Sequence, residues 1–370
     1  MSMLISGIGT ATPPYDAPQE ETARLHAELG GLDDAHARTL RALYRRSGVV
    51  RRGSVLLERE HGELRDRQRF YRPVREEGDL GPSTARRMTM YERTAPELAA
   101  RAARRALTDA GVSAGAISNL VTVSCTGFTS PGVDHGLIRT LGLPRDVTRT
   151  QVGFMGCHGA LNGLRVAHGF AGGEPSGRTL VCSVELCSLH FCYGWDPEVM
   201  VANALFADGA GAVVCEGLEA PTFAAEPSVQ RWRVAATGTV LLDDSEEDMT
   251  WRIGDHGFRM TLSPRVPEVI GEELRSWLAG WLEASGSGLD RIATWAVHPG
   301  GPRILGAVED ALGLDRQRNR AAREVLAAHG NMSSATIFFI LEKLRRENAP
   351  LPCVALAFGP GLVAEAVLVL

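Results

Sequence analysis

The amino-acid sequence predicts an α/β protein of two similar halves, on two observations. First, apolar β-branched runs alternate with segments of helical periodicity, and this alternation restarts near Glu226. Second, each half contains a glycine-rich turn at which a chemically reactive side chain follows or precedes an apolar element. A chain of 370 residues is long for one domain and suits two fused units. We therefore expect a duplicated, layered α/β fold with halves at residues 1–222 and 223–370.

Composition and charge exclude several classes of protein. Hydrophobic residues make up 44% and charged residues 22% of the chain, as in ordinary globular enzymes. The formal charge of −5 gives no basis for a nucleic-acid partner. No apolar run reaches the ~18–20 residues of a membrane span, and no basic segment followed by an apolar one predicts a signal peptide. Seven irregularly spaced cysteines then predict reduced thiols and a cytoplasmic location.

Local signals predict the first elements of the chain. Residues 18–50 have a helical, arginine-bearing pattern, and residues 65–90 are polar and interrupted by Pro and Gly, which predicts a loop. Thr94 and Glu97 match a capping box, so a helix is expected to begin there. Gly111 is its expected C-terminal stop.

Three polar residues lie at the ends of apolar segments. Cys157, in "GFMGCHGALNGLR", precedes apolar residues at helical spacing, so it is expected near a helix start, where free N–H groups and the helix dipole lower a thiol pKa. His298 follows an apolar strand in "WAVHPGG". Asn331 opens a helical pattern in "HGNMSSATIFFIL". Taken singly, each has a purely structural alternative: a buried thiol, a packed histidine and an N-cap asparagine.

Taken together, the three form a Cys/His/Asn set with a recognisable chemistry. An imidazole beside a thiolate forms an ion pair that keeps the nucleophile charged. An imidazole and a carboxamide N–H can also stabilise an enolate or a tetrahedral oxyanion. The set suits acyl transfer onto Cys157, followed by attack of a carbanion that forms by decarboxylation.

Four motifs resemble those of type III polyketide synthases, the chalcone and stilbene synthase superfamily. They are "GFMGCHGALNGLRVA", "HPGG", "GNMSSA" and "FGPGL". The resemblance implies a thiolase fold, which is a five-layered αβαβα arrangement of two similar halves, and a homodimer. It assigns Cys157 as the nucleophile, His298 as the catalytic histidine and Asn331 as the asparagine of the decarboxylation site. The last two motifs point away from the ketoacyl-carrier-protein synthases III, which share the Cys/His/Asn set.

The resemblance also assigns six residues to the substrate cavity. They are Cys125, His190, Phe206, Trp251, Met260 and Ser333. Phe206 matches a gating phenylalanine, whereas Met260 replaces the second one. Cys125 and His190 fall where the plant enzymes have threonine, and Trp251 falls where they have a cavity glycine. The string "MTWRIGDHGFRMTLS" around Trp251 is similar to bacterial alkylpyrone and alkylresorcinol synthases, which accept fatty acyl starters.

The implied reaction loads an acyl-CoA starter, medium or long in chain, on Cys157. It then extends the chain with malonyl-CoA and cyclises it to an alkyl α-pyrone or alkylresorcinol, with no cofactor besides these coenzyme A thioesters. Two other enzymes remain open: a synthase III-like condensing enzyme, and a synthase of small polyhydroxylated aromatics that uses malonyl-CoA alone. A non-catalytic partner subunit of the same fold is disfavoured because all three catalytic positions are filled.

Five arginines are candidates for binding the phosphates of coenzyme A. Guanidinium groups pair well with phosphate, and the five lie close together in the sequence, at Arg41, Arg45, Arg46, Arg51 and Arg52. Arg46 aligns best with a lysine that has this role in the family. The alternative is a solvated helix face.

No metal or nucleotide cofactor is expected. The run "CSVELCSLHFC" contains three cysteines and a histidine, but it lacks a paired C-x-x-C, and strand alternation sends its side chains to opposite faces. The string "DGAGA" does not match a dinucleotide fingerprint. His158, next to the nucleophile, is expected to point away from it and to pack in the core.

Overall fold

The computed structural model describes residues 2–76, 78–220 and 232–370, and the predicted boundary between residues 222 and 223 lies outside these ranges. The described strands are β1 (Met3–Ala11), β2 (Asp16–Pro18), β3 (Arg51–Gly53), β4 (Asn119–Ser124), β5 (Thr148–Gly153), β6 (Arg178–Leu186), β7 (Asp208–Gly217), β8 (Trp232–Leu241), β9 (Met249–Gly254), β10 (Gly257–Leu262), β11 (Thr294–Val297), β12 (Cys353–Gly359) and β13 (Val363–Val369).

The α-helices of the described ranges fall between these strands. They are α1 (Gln19–Leu29), α2 (Asp34–Arg46), α3 (Thr84–Ala110), α4 (Val133–Leu141), α5 (Gly159–Gly173), α6 (Pro197–Leu205), α7 (Val266–Ala284), α8 (Pro302–Leu312), α9 (Arg320–His329) and α10 (Thr336–Arg346). None of these described helices has the length and apolar character needed to cross a membrane.

Nine strands form one mixed sheet in the order β5-β4-β6-β7-β1-β8-β13-β12-β11. In the first half, β4 is parallel to β6, and β7 runs antiparallel between β6 and β1. In the second half, β11 is parallel to β12, and β13 runs antiparallel between β12 and β8. The halves therefore have the same order and directions, and they join where Met3–Ile5 of β1 pairs with β8. The prediction of two similar halves is confirmed.

The central helices α5 and α10 lie between the two halves of the sheet. Helix α5 packs on β4 and β6 of the first half and on β12 and β13 of the second. Helix α10 packs on β1 and β7 and also on β11 and β12. The long helix α3 covers the outer face of the first half, and α7 packs with α8 over the second, where Trp281 contacts Gly238 of β8. This is the five-layered αβαβα order that the family resemblance implies.

The helix expected at Thr94 begins earlier, at Thr84, so the predicted capping box is wrong. Ser83 is the N-cap, and its hydroxyl accepts a hydrogen bond from the backbone N–H of Arg86. The Thr94 hydroxyl donates instead to the carbonyl of Met90, within the helix. An apolar face buried against the sheet outweighs the local penalty of an internal proline, which a local pattern cannot show. The stop at Gly111 is confirmed, with a φ of 65°.

Two other local expectations also change. The helical pattern of residues 18–50 forms two helices, α1 and α2, separated by a turn at Gly30 and Gly31. The end of the expected loop at residues 65–90 is helical, since α3 starts within it. The break between α1 and α2 has a local cause, since Gly31 adopts a φ of 61°. The start of α3 depends on a distant segment, because the backbone N–H of Thr84 donates to the carbonyl of Asp255.

Helix α3 approaches β1 so closely that β1 requires glycine. A Cβ at Gly9 would lie 2.3 Å from the backbone nitrogen of Ala106 and 2.5 Å from the carbonyl oxygen of Ala102. Gly7 meets the same helix in the same way. Backbone atoms cannot move aside as a flexible side chain can, so the glycines determine the spacing between the outer helix and the sheet.

We predict that Gly9→Ala lowers the free energy of unfolding by about 3 kcal/mol or more, because the added methyl overlaps backbone atoms of α3. Gly280→Ala is the matched control. Its Cβ meets nothing within 4 Å, so it should stabilise helix α7 by about 0.5–1 kcal/mol. Urea unfolding of both variants measures the difference. Equal effects of the two changes would contradict the tight α3–β1 contact.

Candidate active site

The three residues of the Cys/His/Asn set meet at one small cavity of about 20 Å³. Cys157 lies in a 3₁₀ turn directly before α5, His298 directly follows β11, and Asn331 precedes the turn that leads into α10. Phe206 and Met260 line the same cavity. All three polar side chains are buried, with exposed fractions of 6% for Cys157 and 1% for each of the other two. The fold thus brings together residues that are far apart in the sequence.

The turn before Cys157 needs a backbone that few residues adopt. Gly156 has a φ of 72°, and a Cβ there would lie 2.3 Å from Cδ of Pro360. Phe154, three positions before the cysteine, and Ser333, beside the cavity, are non-glycine residues with φ of 59° and 47°. Left-handed backbone of this kind is concentrated at functional sites, where the surrounding packing maintains it.

Asn331 is fixed by its backbone and by one side-chain atom. Its N–H donates to the carbonyl of Leu205, and its own carbonyl accepts from Ala207, which forms a bridge beside Phe206. Its Oδ1 accepts a hydrogen bond from the backbone N–H of Ser333 at 2.8 Å. The buried Nδ2 makes no hydrogen bond within the described residues. Asn331 therefore makes a cap-like hydrogen bond through Oδ1 and leaves Nδ2 as a free donor at the cavity. It is not the N-cap of α10, because a 3₁₀ turn separates it from that helix.

His298 is fixed by its backbone alone. Its N–H donates to the carbonyl of Leu356 at 2.8 Å, whereas neither ring nitrogen has a hydrogen-bond partner in the described part of the chain. Burial, with a smaller contribution from His158, lowers the pKa of His298 to about 3. The imidazole is therefore neutral and can accept a proton.

The thiol of Cys157 is also neutral. Burial raises the pKa of Cys157 to about 12, and the neighbouring Ser333 and Asn331 side chains oppose this shift. The thiolate–imidazolium pair expected from the sequence is thus not the state that burial favours. Two effects favour the pair once a proton moves from Cys157 to His298: each new charge offsets the desolvation of the other, and the N-terminus of α5 stabilises the thiolate.

A larger cavity of about 120 Å³ opens from Cys157 and contains all six predicted cavity residues in its wall. They are Cys125, His190, Phe206, Trp251, Met260 and Ser333. The wall continues along apolar side chains of α1 and the segment after β3. These are Leu25, Leu29, Leu56, Leu57 and Leu64. Helix α1 packs on α2, on β2 and on the turn at residues 64–67, so the cavity reaches from the nucleophile to a separate part of the fold.

His190 and Trp251 also fasten the β9–β10 hairpin over the cavity. Nε2 of His190 donates to the carbonyl of Thr126 at 2.7 Å, so its Nδ1 accepts from the backbone N–H of Phe258 at 3.0 Å. Burial lowers the pKa of His190 to about 3, which keeps this neutral tautomer. The indole N–H of Trp251 donates to the carbonyl of Cys125 at 2.7 Å. The two residues therefore determine the position of Met260, which pairs with Trp251 across the hairpin.

Glu185 is a residue of the site that the sequence analysis missed. Its fully buried carboxylate accepts hydrogen bonds from the backbone N–H of Cys125 at 3.0 Å, from the Thr126 hydroxyl at 2.7 Å and from the Ser334 hydroxyl. Burial raises the pKa of Glu185, and these hydrogen bonds act in the opposite direction. A lone carboxylate inside an apolar strand run, "TLVCSVELC", was the available signal.

His158 is buried, as expected, but it is not a mere packing residue. Its Nδ1 donates to Oδ1 of Asn162 at 2.7 Å, and Nδ2 of Asn162 donates to the carboxylate of Glu365. Arg165 donates to the same carboxylate oxygen. This chain of polar groups links the nucleophile turn to α5 and β13, and so to the second half of the sheet.

Of the five arginine candidates, Arg52 is buried and lines the large cavity, whereas the other four line neither cavity. Arg51 forms an ion pair with Asp16. Arg41 is half-buried, Arg45 and Arg46 are exposed, and none of these three forms an ion pair with another described residue. Helix α2, which carries them, packs against α6, whose Ala202 lines both cavities. The three arginines of α2 thus lie on an element next to the site, and their role stays a prediction.

No cluster of three metal-ligating side chains occurs in the ranges that the structure describes. In the run weighed as a metal site, the Cys182 thiol faces the carbonyl of Ala99, whereas Cys187, His190 and Cys192 line the large cavity. The absence of a cofactor stays a prediction.

Two family models cover nearly the whole chain: the N-terminal domain of chalcone and stilbene synthases matches residues 2–217, and the C-terminal domain matches residues 233–370. The chain belongs to the chalcone and stilbene synthase family. It is a type III polyketide synthase, a condensing acyltransferase with the thiolase fold.

Relatives of this synthase include enzymes with different products. It is 36% identical to 1,3,6,8-tetrahydroxynaphthalene synthase of Streptomyces peucetius subsp. caesius, over 98% of this chain and 92% of that protein. It is 30% identical to the alpha-pyrone synthesis polyketide synthase-like Pks18 of Mycobacterium tuberculosis, over 99% of this chain and 90% of that protein. The crystal structure of PKS-I from the brown alga Ectocarpus siliculosus superposes with a TM-score of 0.88 at 30% identity, covering 99% of this chain and 97% of that one.

We predict that replacing His298 slows the alkylation of Cys157 at neutral pH. If the imidazole accepts the thiol proton as the thiolate forms, the rate of iodoacetamide labelling at pH 7 should fall by about tenfold or more in His298→Gln, because the buried thiol loses its proton acceptor while its pKa stays near 12. Rates are measured by mass spectrometry of the Cys157 peptide in both proteins, and Cys157→Ala confirms the assignment. Equal labelling rates at pH 7 in the wild type and in His298→Gln would rule out the proton transfer.

Proposed function

We propose that the synthase loads an aliphatic acyl-CoA starter on Cys157, extends it with malonyl-CoA and cyclises the product to an alkyl α-pyrone or alkylresorcinol. The observation that supports this most is the cavity, which begins at a buried Cys/His/Asn set and continues along the five leucines of α1 and the segment after β3. In the proposed reaction, the Cys/His/Asn set carries out the chemistry and the leucines bind the acyl chain.

In the loading step, the Cys157 thiol transfers its proton to the neutral ring of His298. The thiolate attacks the thioester carbonyl of the acyl-CoA, the C–S bond to coenzyme A breaks, and the coenzyme A thiolate takes the proton from the imidazolium. The products are the Cys157 thioester and free coenzyme A. The neutral resting state suits this step, because no net charge is brought into the buried site.

In the extension step, malonyl-CoA loses its carboxylate as carbon dioxide. The electron pair moves onto the thioester carbonyl as an enolate, whose oxygen would be held by Nδ2 of Asn331 and by a ring N–H of His298. Both are unpaired in the described residues and buried at the cavity, so they are available without prior reorganisation. The enolate carbon then attacks the Cys157 thioester, and the thiolate is released for the next cycle.

The class of starter follows from the cavity wall. Five leucines cannot hydrogen-bond a polar starter, but they favour an aliphatic chain by about 0.8 kcal/mol for each methylene removed from water. The relative named for α-pyrone synthesis supports an α-pyrone as the product. A specific observation favours a second candidate, a synthase that uses malonyl-CoA alone: the 36% identity to a tetrahydroxynaphthalene synthase.

One experiment separates the two candidates. The purified synthase is incubated with malonyl-CoA alone and with a panel of hexanoyl- to tetradecanoyl-CoA, and products are identified by mass spectrometry. An alkyl pyrone or resorcinol that appears only with a starter supports the proposal. Tetrahydroxynaphthalene from malonyl-CoA alone supports the second candidate. Product formation by Cys157→Ala at the wild-type rate would overturn both.

We predict that Leu25→Trp shortens the range of accepted starters. The indole would fill the α1 end of the cavity, so the ratio of long-chain to short-chain product should fall by about tenfold. The ratio is measured within one enzyme and is therefore insensitive to partial loss of folded protein. Leu218→Trp, at an exposed position outside the cavity, is the control and should leave the ratio unchanged.

Coenzyme A recognition is proposed for Arg46, with Arg41 and Arg45 as neighbours on α2. A variant of the structural relative CsyB, 26% identical and with a TM-score of 0.87 over 100% of this chain and 99% of that one, was solved in complex with CoA-SH. We predict that Arg46→Ala raises KM for malonyl-CoA by about two- to fivefold, with little effect on kcat. Arg139→Ala, an exposed arginine on α4, is the control. An unchanged KM at low salt would contradict the assignment.

We also propose that the synthase is a homodimer and that it is located in the cytoplasm. Phe128 and Met155, each 40% exposed, flank the edge strand β5, and Phe128 packs on Phe154. Exposed apolar side chains next to an unpaired strand edge are typical of an interface between subunits. Sedimentation velocity of the purified chain tests the homodimer directly, and a monomer would contradict it.

A further inference from the structure

The α1 end of the large cavity is not uniformly apolar. Between Leu25 and Leu29, His26 places its imidazole in the cavity wall. One face of the ring stacks on Phe191, with centroids 4.0 Å apart, and Nδ1 is hydrogen-bonded to the hydroxyl of Tyr44. The ring is therefore held in one orientation by two neighbours that are themselves buried.

The tautomer of this ring follows from its partner. Burial raises the pKa of Tyr44 to about 12, so the phenol keeps its proton and donates it to Nδ1. Burial and the nearby Arg52 lower the pKa of His26 well below its usual range, so the ring is neutral. The remaining nitrogen, Nε2, then carries the hydrogen. It makes no hydrogen bond with any described residue, and it lies on the ring edge opposite to the one that Tyr44 occupies.

A second unpaired donor lies next to this ring. Arg52, which also lines the cavity, is buried to an exposed fraction of 6%. Its Nη1 donates to the carbonyls of Asn203 and Phe206, at 2.7 and 2.8 Å, whereas Nε and Nη2 have no hydrogen-bond partner in the described ranges. The guanidinium lies 5.3 Å from the centre of the Tyr44 ring. The α1 end thus presents hydrogen-bond donors in a wall that contains both leucines and polar groups. The guanidinium charge there is partly offset by the nearby Asp208 carboxylate.

We propose that the α1 end of the cavity is a binding subsite for an oxygen atom at the far end of the acyl chain, held by the Nε2–H of His26 next to the guanidinium of Arg52. The inference rests on the proposed function and narrows its substrate class to chains with a terminal hydroxyl, carbonyl or carboxylate oxygen. A plain alkyl end leaves this donor without a partner, so loading of such a chain is disfavoured by about tenfold relative to an oxygenated one.

The other polar groups of the wall do not compete for this role. Gln68 exchanges two hydrogen bonds with the backbone of Tyr71, and the Tyr71 hydroxyl donates to the carbonyl of Ser188. Ser54 is paired with the Ser188 hydroxyl. These groups are satisfied within the protein, so His26 and Arg52 are the donors that remain for a ligand.

The test is a competition for loading, in the absence of malonyl-CoA. The full-length synthase is offered equal amounts of decanoyl-CoA and ω-hydroxydecanoyl-CoA, or of decanoyl-CoA and decanedioyl-CoA, and the acyl-enzyme is weighed by intact-protein mass spectrometry. Pairs of six, eight and twelve carbons cover the unknown reach. We expect about tenfold preference for one oxygenated chain at the length that reaches His26. A preference for hydroxyl indicates that the His26 hydrogen bond dominates, and a preference for carboxylate indicates that the Arg52 charge dominates.

Variants locate the preference. His26→Leu, similar in volume, should bring the oxygenated-to-plain ratio close to one, and Tyr44→Phe should reduce it because Nδ1 loses its partner. His26→Gln, which keeps an N–H donor, should restore part of the ratio. His36→Leu, at an exposed position on α2, is the matched control and should keep the wild-type ratio.

The outcomes separate this inference from the proposed function. Loading of plain and oxygenated chains without preference at every length, or an unchanged preference in His26→Leu, overturns the subsite while the proposed function stands. Absence of acylation by every acyl-CoA overturns the proposed function, and the subsite with it.

Discussion

The arrangement of the site depends on the hydrogen bonds that the buried carboxylate of Glu185 accepts. It lies on β6 of the first half, and it binds both the end of β4, through Cys125 and Thr126, and the turn before α10, through Ser334. A carboxylate that is buried away from water must accept its hydrogen bonds from the protein. The folded structure therefore has to keep all three donors in place around Glu185. The two halves of the fold are therefore held in one relative position at the point where the nucleophile and the asparagine meet.

The internal duplication explains where the reactive residues lie. Strands β4 and β11 are equivalent in the two halves, and each delivers one residue to the cavity region: Cys125 in the first half and His298 in the second. Helices α5 and α10 are likewise equivalent, each preceded by a 3₁₀ turn, with Cys157 in one turn and Asn331 just before the other. Because α5 and α10 lie between both halves of the sheet, their N-terminal ends face a common space. One architecture, used twice with different residues, gives one asymmetric site.

Positions close to glycine turns could be predicted well from the sequence. Cys157, His298 and Asn331 each lie where an apolar element meets a tight turn, and such signals are local. The start of α3 could not be predicted in this way. Its first turns are polar, with Pro96 further along, and they are held by segments distant in the sequence. The backbone N–H of Thr84 donates to the carbonyl of Asp255, and the buried Arg87 donates to the carbonyl of Leu189. Glu185 was missed for a similar reason, since its partners come from three separate segments.

The sequence by itself determined the fold class, the duplication and the identity of the Cys/His/Asn set, because hydrophobic periodicity and turn residues are properties of neighbouring positions. The tertiary structure decided the protonation states and the shape of the cavity. Burial keeps Cys157 and His298 neutral, contrary to the sequence expectation of an ion pair, because desolvation depends on every element packed around a group. The course of the cavity to His26 on α1 likewise arises only when distant segments pack together.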